Sequence, residues 1–216
     1  MSILYISYDG LLEPLGQSQV LAYQGHLAKE FDITIMSFEK PADLKNRQLV
    51  ESVQNRIAQT SITWIPRRYH KAPSIFATSY DLLAGIIHCS YLVLRYKIKI
   101  IHARSYPPTL IAFALKKLFG IKFIFDMRGF WADERVDGNL WEQDSLLFKI
   151  TKALEKKFIL NADHIVSLTH AAVHEINKFP YIQDIALPIS VIPTCVDLNK
   201  FQPKSIVTTT NEFTLG

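Results

Sequence analysis

Short, nearly unbroken apolar runs alternate with longer segments of helical periodicity, and this alternation restricts the fold more than any other feature of the chain. ILYISY ends at Asp9-Gly10 and reads as the first strand; ITIMSF, SITWIP, IKIIHA, KFIFDM, DHIVSLT and ISVIP follow as six more. Between them lie SQVLAYQGHLAKE, ADLKNRQLVESVQNRIAQ, a long segment from Pro73 to about Tyr96, PPTLIAFALKKLFG, SLLFKITKALEKKFILN and HAAVHEINKF, each with apolar residues at helical spacing. PPTLIAFALKKLFG carries proline early and Gly120 at its end, the expected asymmetry of a helix. Strand–helix alternation predicts an α/β fold with a mostly parallel sheet of about seven strands between two helical layers, a Rossmann-like αβα sandwich. The apolar continuity of the strands agrees, because such strands are buried on both faces.

A chain of 216 residues with 49% hydrophobic content can bury one large core. Its longest apolar run, LLAGIIHCSYLVL, reads as too short to span a bilayer and contains His88. MSILYIS lacks the basic flank and cleavage site of a signal peptide. Cys89 and Cys195 lie far apart with no ligand spacing, and read as free thiols of a reducing cytoplasm. Net charge is +4, unevenly spread: Ser52 to Lys122 holds eleven Lys/Arg and one acid, Asp81, whereas Phe123 to Ile150 holds six acids and three bases. The basic half suits a polyanion, or is a solvated face.

In open α/β sheets, ligands bind beyond the carboxyl ends of the strands. The polar residues that end strands are therefore the candidates for chemistry. FIFDMRGFWADERVDGNLW runs from a buried strand into Asp126, Arg128 and a stretch rich in charge and tryptophan, which reads as a long functional loop. His102 and Arg104 end the fourth strand, and Arg104 suits an acceptor phosphate or carboxylate. Gly16, Gln17 and Ser18 stand where a helix begins, so their free N–H groups favour an anion; an ordinary turn capped by Ser18 would look the same. Asp9 and Glu13 share that loop, and Asp9 either meets an acceptor hydroxyl or steadies the turn. Arg128 cannot be a general base but can stabilise negative charge; Asp126 can orient it, or act as a base if its pKa is raised. Trp131 and Trp141 suit stacking on sugar rings or covering an apolar face. His170 and His174 lie four apart but lack a zincin glutamate, so no metal site is expected. Arg67, Arg68 and Lys71, interleaved with Trp64, Tyr69 and Phe76, suit an anionic membrane surface or single-stranded nucleic acid.

Four segments carry a resemblance: SYDGLLEPLGQSQVLAYQGHLA, IIHARS, FIFDMRGFWADE, and ADHIVSLTHAAVHEI followed by VIPTCVDLNKF. Together they resemble the N-terminal domain of a retaining glycosyltransferase of family 4, one half of a GT-B fold. The resemblance implies that this domain holds most of the acceptor site. Sugar would pass from a nucleotide-sugar to a glycan or lipid-linked acceptor, without a cofactor or metal. The setting implied is bacterial surface polysaccharide assembly at the inner face of the plasma membrane. It places Gly16, Gln17 and Ser18 near the donor diphosphate, Asp126 and Arg128 at the reacting centre, and Asp9, Glu13, His102, Arg104, Trp131 and Thr169 on the acceptor side of the cleft. Arg128 stands where the family often carries a histidine, so a proton relay is not carried over. It prefers the membrane to nucleic acid at Arg67, Arg68 and Lys71. Residues 1–204 are then the acceptor-side domain, and 205–216 a linker and the start of a truncated second domain; the chain taken alone is expected to be inactive. The alternatives are a nucleotide-sugar epimerase of the same fold, and a stand-alone membrane- or glycan-binding domain without catalysis.

Overall fold

The computed structural model describes residues 1–70, 74–183 and 185–195. Seven strands form one sheet: β1 (Ser2–Ser7), β2 (Asp32–Glu39), β3 (Thr63–Arg68), β4 (Ile100–Arg104), β5 (Lys122–Met127), β6 (His164–Ser167) and β7 (Ile189–Val191). Every pairing is parallel, and the spatial order is β3-β2-β1-β4-β5-β6-β7. The order reverses between β1 and β4, which opens a crevice beyond their carboxyl ends. The expected three-layer α/β architecture is thus present.

The helices are α1 (Ala22–Leu27), α2 (Pro41–Lys45), α3 (Arg47–Ala58), α4 (Ser74–Tyr96), α5 (Tyr106–Phe119), α6 (Trp131–Asp137), α7 (Leu146–Asn161) and α8 (His170–Asn177). Two cores result. Leu4, Ile6, Ile101, Phe123, Phe125 and Ile165 pack with side chains of α4, α5, α7 and α8 on one face. Tyr5, Ile33 and Ile35 pack with Val20, Val53 and Ile57 on the other. On this second face Ile100, His102, Ile124 and His164 stay only partly covered, while their neighbours Ile101, Phe123 and Ile165 are sealed. Strand alternation therefore leaves β4–β6 open on the face opposite α5 and α7.

Several local expectations are corrected. The segment 42–59 is two helices. Asn46 leaves the helical region (ψ 91°) and its side-chain oxygen accepts from Leu49 N at 3.2 Å, so an N-cap interrupts the periodicity. The first helix begins as a π-helical turn, Gly16–Leu21, that runs into α1. Ser18 does not cap it; its hydroxyl donates back to the Pro14 carbonyl at 2.9 Å. The segment after β5 is not one loop, since it contains α6. Helix α4 is long and apolar enough to cross a membrane by length and composition, contrary to the reading of its sequence as too short, but its inner face is packed on the sheet. Gly120 ends α5 in the left-handed region as expected (φ 67°). Lys71 and the expected domain boundary, 205–216, lie outside the described residues.

Candidate functional site

Strand register assembles the site. Tyr5 on β1 lies beside His102 on β4, and Ser7 beside Arg104. Arg104 in turn lies beside Asp126 on β5. Tyr5, His102, Arg104 and Asp126 therefore project onto the open face at the point where strand order reverses. With Arg128 they line a cavity completed by Ser18, Gln19 and Thr194.

The arrangement is a buried charge cluster. Arg104 and Asp126 are only 4% and 5% exposed. The Asp126 carboxylate faces three bases: His102 Nε2 at 3.6 Å, Arg128 at 3.6 Å and Arg104 at 3.8 Å. Burial alone would raise its pKa, but His102, Arg128 and Arg104 outweigh burial and hold the carboxyl below the usual carboxylate range. Asp126 is consequently an ionised organiser of the cations, and the expectation that it could serve as a base through a raised pKa is corrected. Burial opposes the Arg104 charge, yet Tyr5, Asp126 and Asp9 raise its pKa further, so it stays cationic. Burial, then Asp126, pushes the Tyr5 phenol up.

Gln19 was not singled out in the sequence, and it ties the cluster together. Its side-chain oxygen accepts from Arg104 at 2.8 Å and from Arg128 at 2.9 Å. One amide thus holds two guanidinium groups side by side against their repulsion. Arg128 also donates to the Thr194 hydroxyl at 3.2 Å. Arg104 is matched by Asp126 and, outside the cavity lining, by Asp9, so the positive charge turned toward a ligand is that of the partly exposed Arg128, which suits an anion. Among the described residues, His102 Nε2 and Asp126 Oδ1 are buried without a hydrogen-bond partner.

Backbone geometry supports this placement. Ser105, directly after Arg104, adopts φ 69° and ψ −176°, a region glycine favours. Its N–H donates to the Asp126 carbonyl at 2.9 Å, fastening the β4 and β5 ends together. The loop after β1 is pinned by Glu39, whose carboxylate accepts from Leu11 N at 2.8 Å and Leu12 N at 3.0 Å. Burial pushes the Glu39 carboxyl up, against the hydrogen bonds from Ser37, Leu12 and Leu11.

The other sequence candidates separate. Gly16 is buried, and a Cβ there would sit 2.0 Å from the Gly10 carbonyl oxygen, so contact within the loop accounts for this glycine. Gln17 turns away, donating to the Leu12 carbonyl and accepting from Arg56. Of the expected phosphate-binding trio, only Ser18 reaches the cavity. Asp9 accepts from Arg104 Nε at 3.3 Å and shares a neighbouring hollow with Glu13, which pairs with Lys40. Trp131 packs on Tyr106 and Trp141, at centroid distances of 5.7 Å and 5.3 Å, with Arg135 over its ring. It is partly buried in this packing and lies outside the cavity lining, in line with the apolar cover that is one of its two readings. Thr169 caps α8, accepting from Ala172 N at 3.0 Å, and lines a second hollow with Arg128 and Phe130. His170 and His174 are exposed, and among the described residues no group of three His, Cys, Asp or Glu side chains is placed to hold a metal. Both cysteines are free; Cys89 is buried and Cys195 lies at the cavity rim. Arg67 and Arg68 lie on the edge strand β3, away from the cavity.

Residues 18–200 match the sequence model of Glycosyltransferase Family 4. No curated protein matches the sequence. Among solved structures, sucrose-phosphate synthase from Thermosynechococcus elongatus superposes with a TM-score of 0.62 at 13% identity, covering 92% of this chain and 49% of its own. A UGT transferase from Siraitia grosvenorii in complex with UDP gives 0.56 at 11% identity, covering 92% and 52%. A UDP-N-acetylglucosamine 2-epimerase gives 0.53 at 10% identity, covering 88% and 47%. The chain spans about half the length of each. At these identities the likeness is one of fold: a single half of the GT-B architecture.

Proposed function

The chain belongs to Glycosyltransferase Family 4, and from that premise we propose that it is the acceptor-side half of an enzyme transferring a sugar, with retention, from a nucleotide-sugar to a glycan or lipid-linked acceptor. The observation that carries the reading is the Arg104–Gln19–Arg128 clamp at the sheet's switch point, with Asp126 ionised beneath it. Transfer from a nucleoside diphosphate sugar builds negative charge on the departing diphosphate. Guanidinium groups fixed before the reaction stabilise that charge without reorganising. Arg128, 22% exposed at its side chain, is the one placed to reach the ligand; buried Arg104 sets the local field and holds Gln19. Ser18 lines the same wall, with its hydroxyl turned back to the Pro14 carbonyl.

The epimerase alternative shares the fold but has less support. Among the described residues lining the cavity, Asp126 is the only carboxylate, and it is committed to three bases. The setting we propose is the cytoplasmic side of a bacterial plasma membrane, in surface polysaccharide assembly, with no metal or cofactor taking part. The test is transfer by the full-length protein from a panel of nucleotide-sugars, with the anomeric configuration of the product read by NMR. Transfer with retention supports the reading. Inversion at C2 of the donor, without transfer, would select the epimerase.

A further inference from the structure

Helix α4 is apolar on two faces. Ala77, Cys89, Leu92 and Val93 are buried against the sheet. On the opposite side Phe76, Tyr80, Leu83, Ile87, Tyr91 and Leu94 recur at spacings of three and four and are each 59–77% exposed. They form one continuous stripe, a kind of patch that monomeric soluble proteins rarely leave open without a use. Arg67, from the edge strand β3, forms a shallow groove with Tyr80, Leu83, Ile87 and Tyr91. Arg67, Arg68 and His70 line the adjoining hollow against Tyr80.

We infer that this face of α4, with Arg67 and Arg68 beside it, docks the protein on a bilayer containing anionic phospholipids. The helix would lie flat, its outer side chains inserted at the acyl boundary and the two arginines at the phosphates. Charge selects this occupant. Between Ser52 and Lys122 the only acid is Asp81, and it is 2% exposed and hydrogen-bonded to His70. Arg68 on one side and Arg95, Lys97 and Lys99 at the helix end are exposed, and none of them forms an ion pair among the described residues. An anionic surface satisfies that distribution. A second copy of the chain across a two-fold axis would set the same cations against one another. Spanning the bilayer is ruled out by the inner face, which would have to leave the sheet. The membrane-facing element is thus α4, with the arginines at its border, and not only the short basic segment that precedes it.

The inference stands independently of the sugar-transfer reading, and its test needs no activity. The chain is mixed with vesicles of phosphatidylcholine, with or without phosphatidylglycerol, and the bound fraction is read by sedimentation. Binding to anionic vesicles, weakened by salt, is expected. Leu83→Ser with Ile87→Ser should lower the partition coefficient by about 10-fold or more, and Arg67→Gln with Arg68→Gln should remove the preference for anionic lipid. All four positions are at the surface or on the edge strand, and circular dichroism checks that the fold persists. Absence of binding to anionic vesicles, or undiminished binding by the serine variant, would overturn the inference. So would a reversible dimer that the serine variant dissolves while vesicles recruit nothing, which would assign the face to a second copy.

Discussion

Replacing Asp126 by asparagine isolates the charge of the cluster from its shape. The volume is kept, so no cavity opens, and among the described residues Oδ1 has no hydrogen-bond partner to lose. What disappears is the negative charge facing three bases at 3.6–3.8 Å. Arg104, 4% exposed, would then rely on the half-exposed Asp9 and on Gln19. Leaving a buried charge without its partner costs about 3–5 kcal/mol. Arg128 is partly solvated and can turn to water, which points to the lower end, about 3 kcal/mol. The folded-state pKa of Asp126 is depressed, so its contribution is fully present above the unfolded value of about 3.9 and is lost as pH falls through the lower folded value. Urea unfolding of wild type and Asp126→Asn at neutral pH and again below pH ~4 should therefore show a gap that narrows in acid. In an Arg104→Met background the same substitution should cost much less. A gap under about 1 kcal/mol at neutral pH, or one that persists unchanged in acid, would refute the electrostatic account.

Other consequences follow from single residues. Ser105→Gly should relieve the positive φ and stabilise the protein by roughly 1 kcal/mol in urea unfolding, because strain of this kind is about 1–3 kcal/mol and glycine gives part back in chain entropy. Gly16→Ala should destabilise by about 1–3 kcal/mol, since its Cβ would meet the Gly10 backbone, which has no side-chain freedom to yield. Tyr106→Phe removes the hydroxyl that donates to buried Glu155 and to the Gly129 carbonyl; a loss of about 1–3 kcal/mol is expected, with earlier proteolysis around α6. Gln19→Leu should separate the two guanidiniums and weaken nucleotide-sugar binding by the full-length protein about 10-fold or more, read by calorimetry, with little change in far-UV circular dichroism.

Strand identity, parallel order and the ligand side were legible because apolar continuity and strand-end polarity are local signals. His102, Arg104, Asp126 and Arg128 each end or follow a strand, and register then brings them together. Gln19 was not legible. It is a neutral amide one residue beyond the expected anion site, and a π-helical turn sets its direction, which a 3.6-residue period does not describe. The charged and aromatic run after β5 misled for a related reason. Its sequence carries no sign of which residues face the cavity, and Trp131, Arg135 and Asp133 pack or pair with Tyr106, Trp131 and Lys152 outside its lining. Helix α4 shows the same limit, since an apolar residue looks alike whether it meets the sheet or the outside.

The most direct test of the central claim is sugar transfer by the full-length protein carrying Arg128→Met. The side chain keeps an unbranched stem and loses the guanidinium with its charge, and the fold should be unaffected because Arg128 is partly solvated. Turnover lower by about 100-fold or more, at saturating nucleotide-sugar, is the result the clamp predicts. Turnover equal to wild type would contradict it and remove Arg128 from the reacting centre.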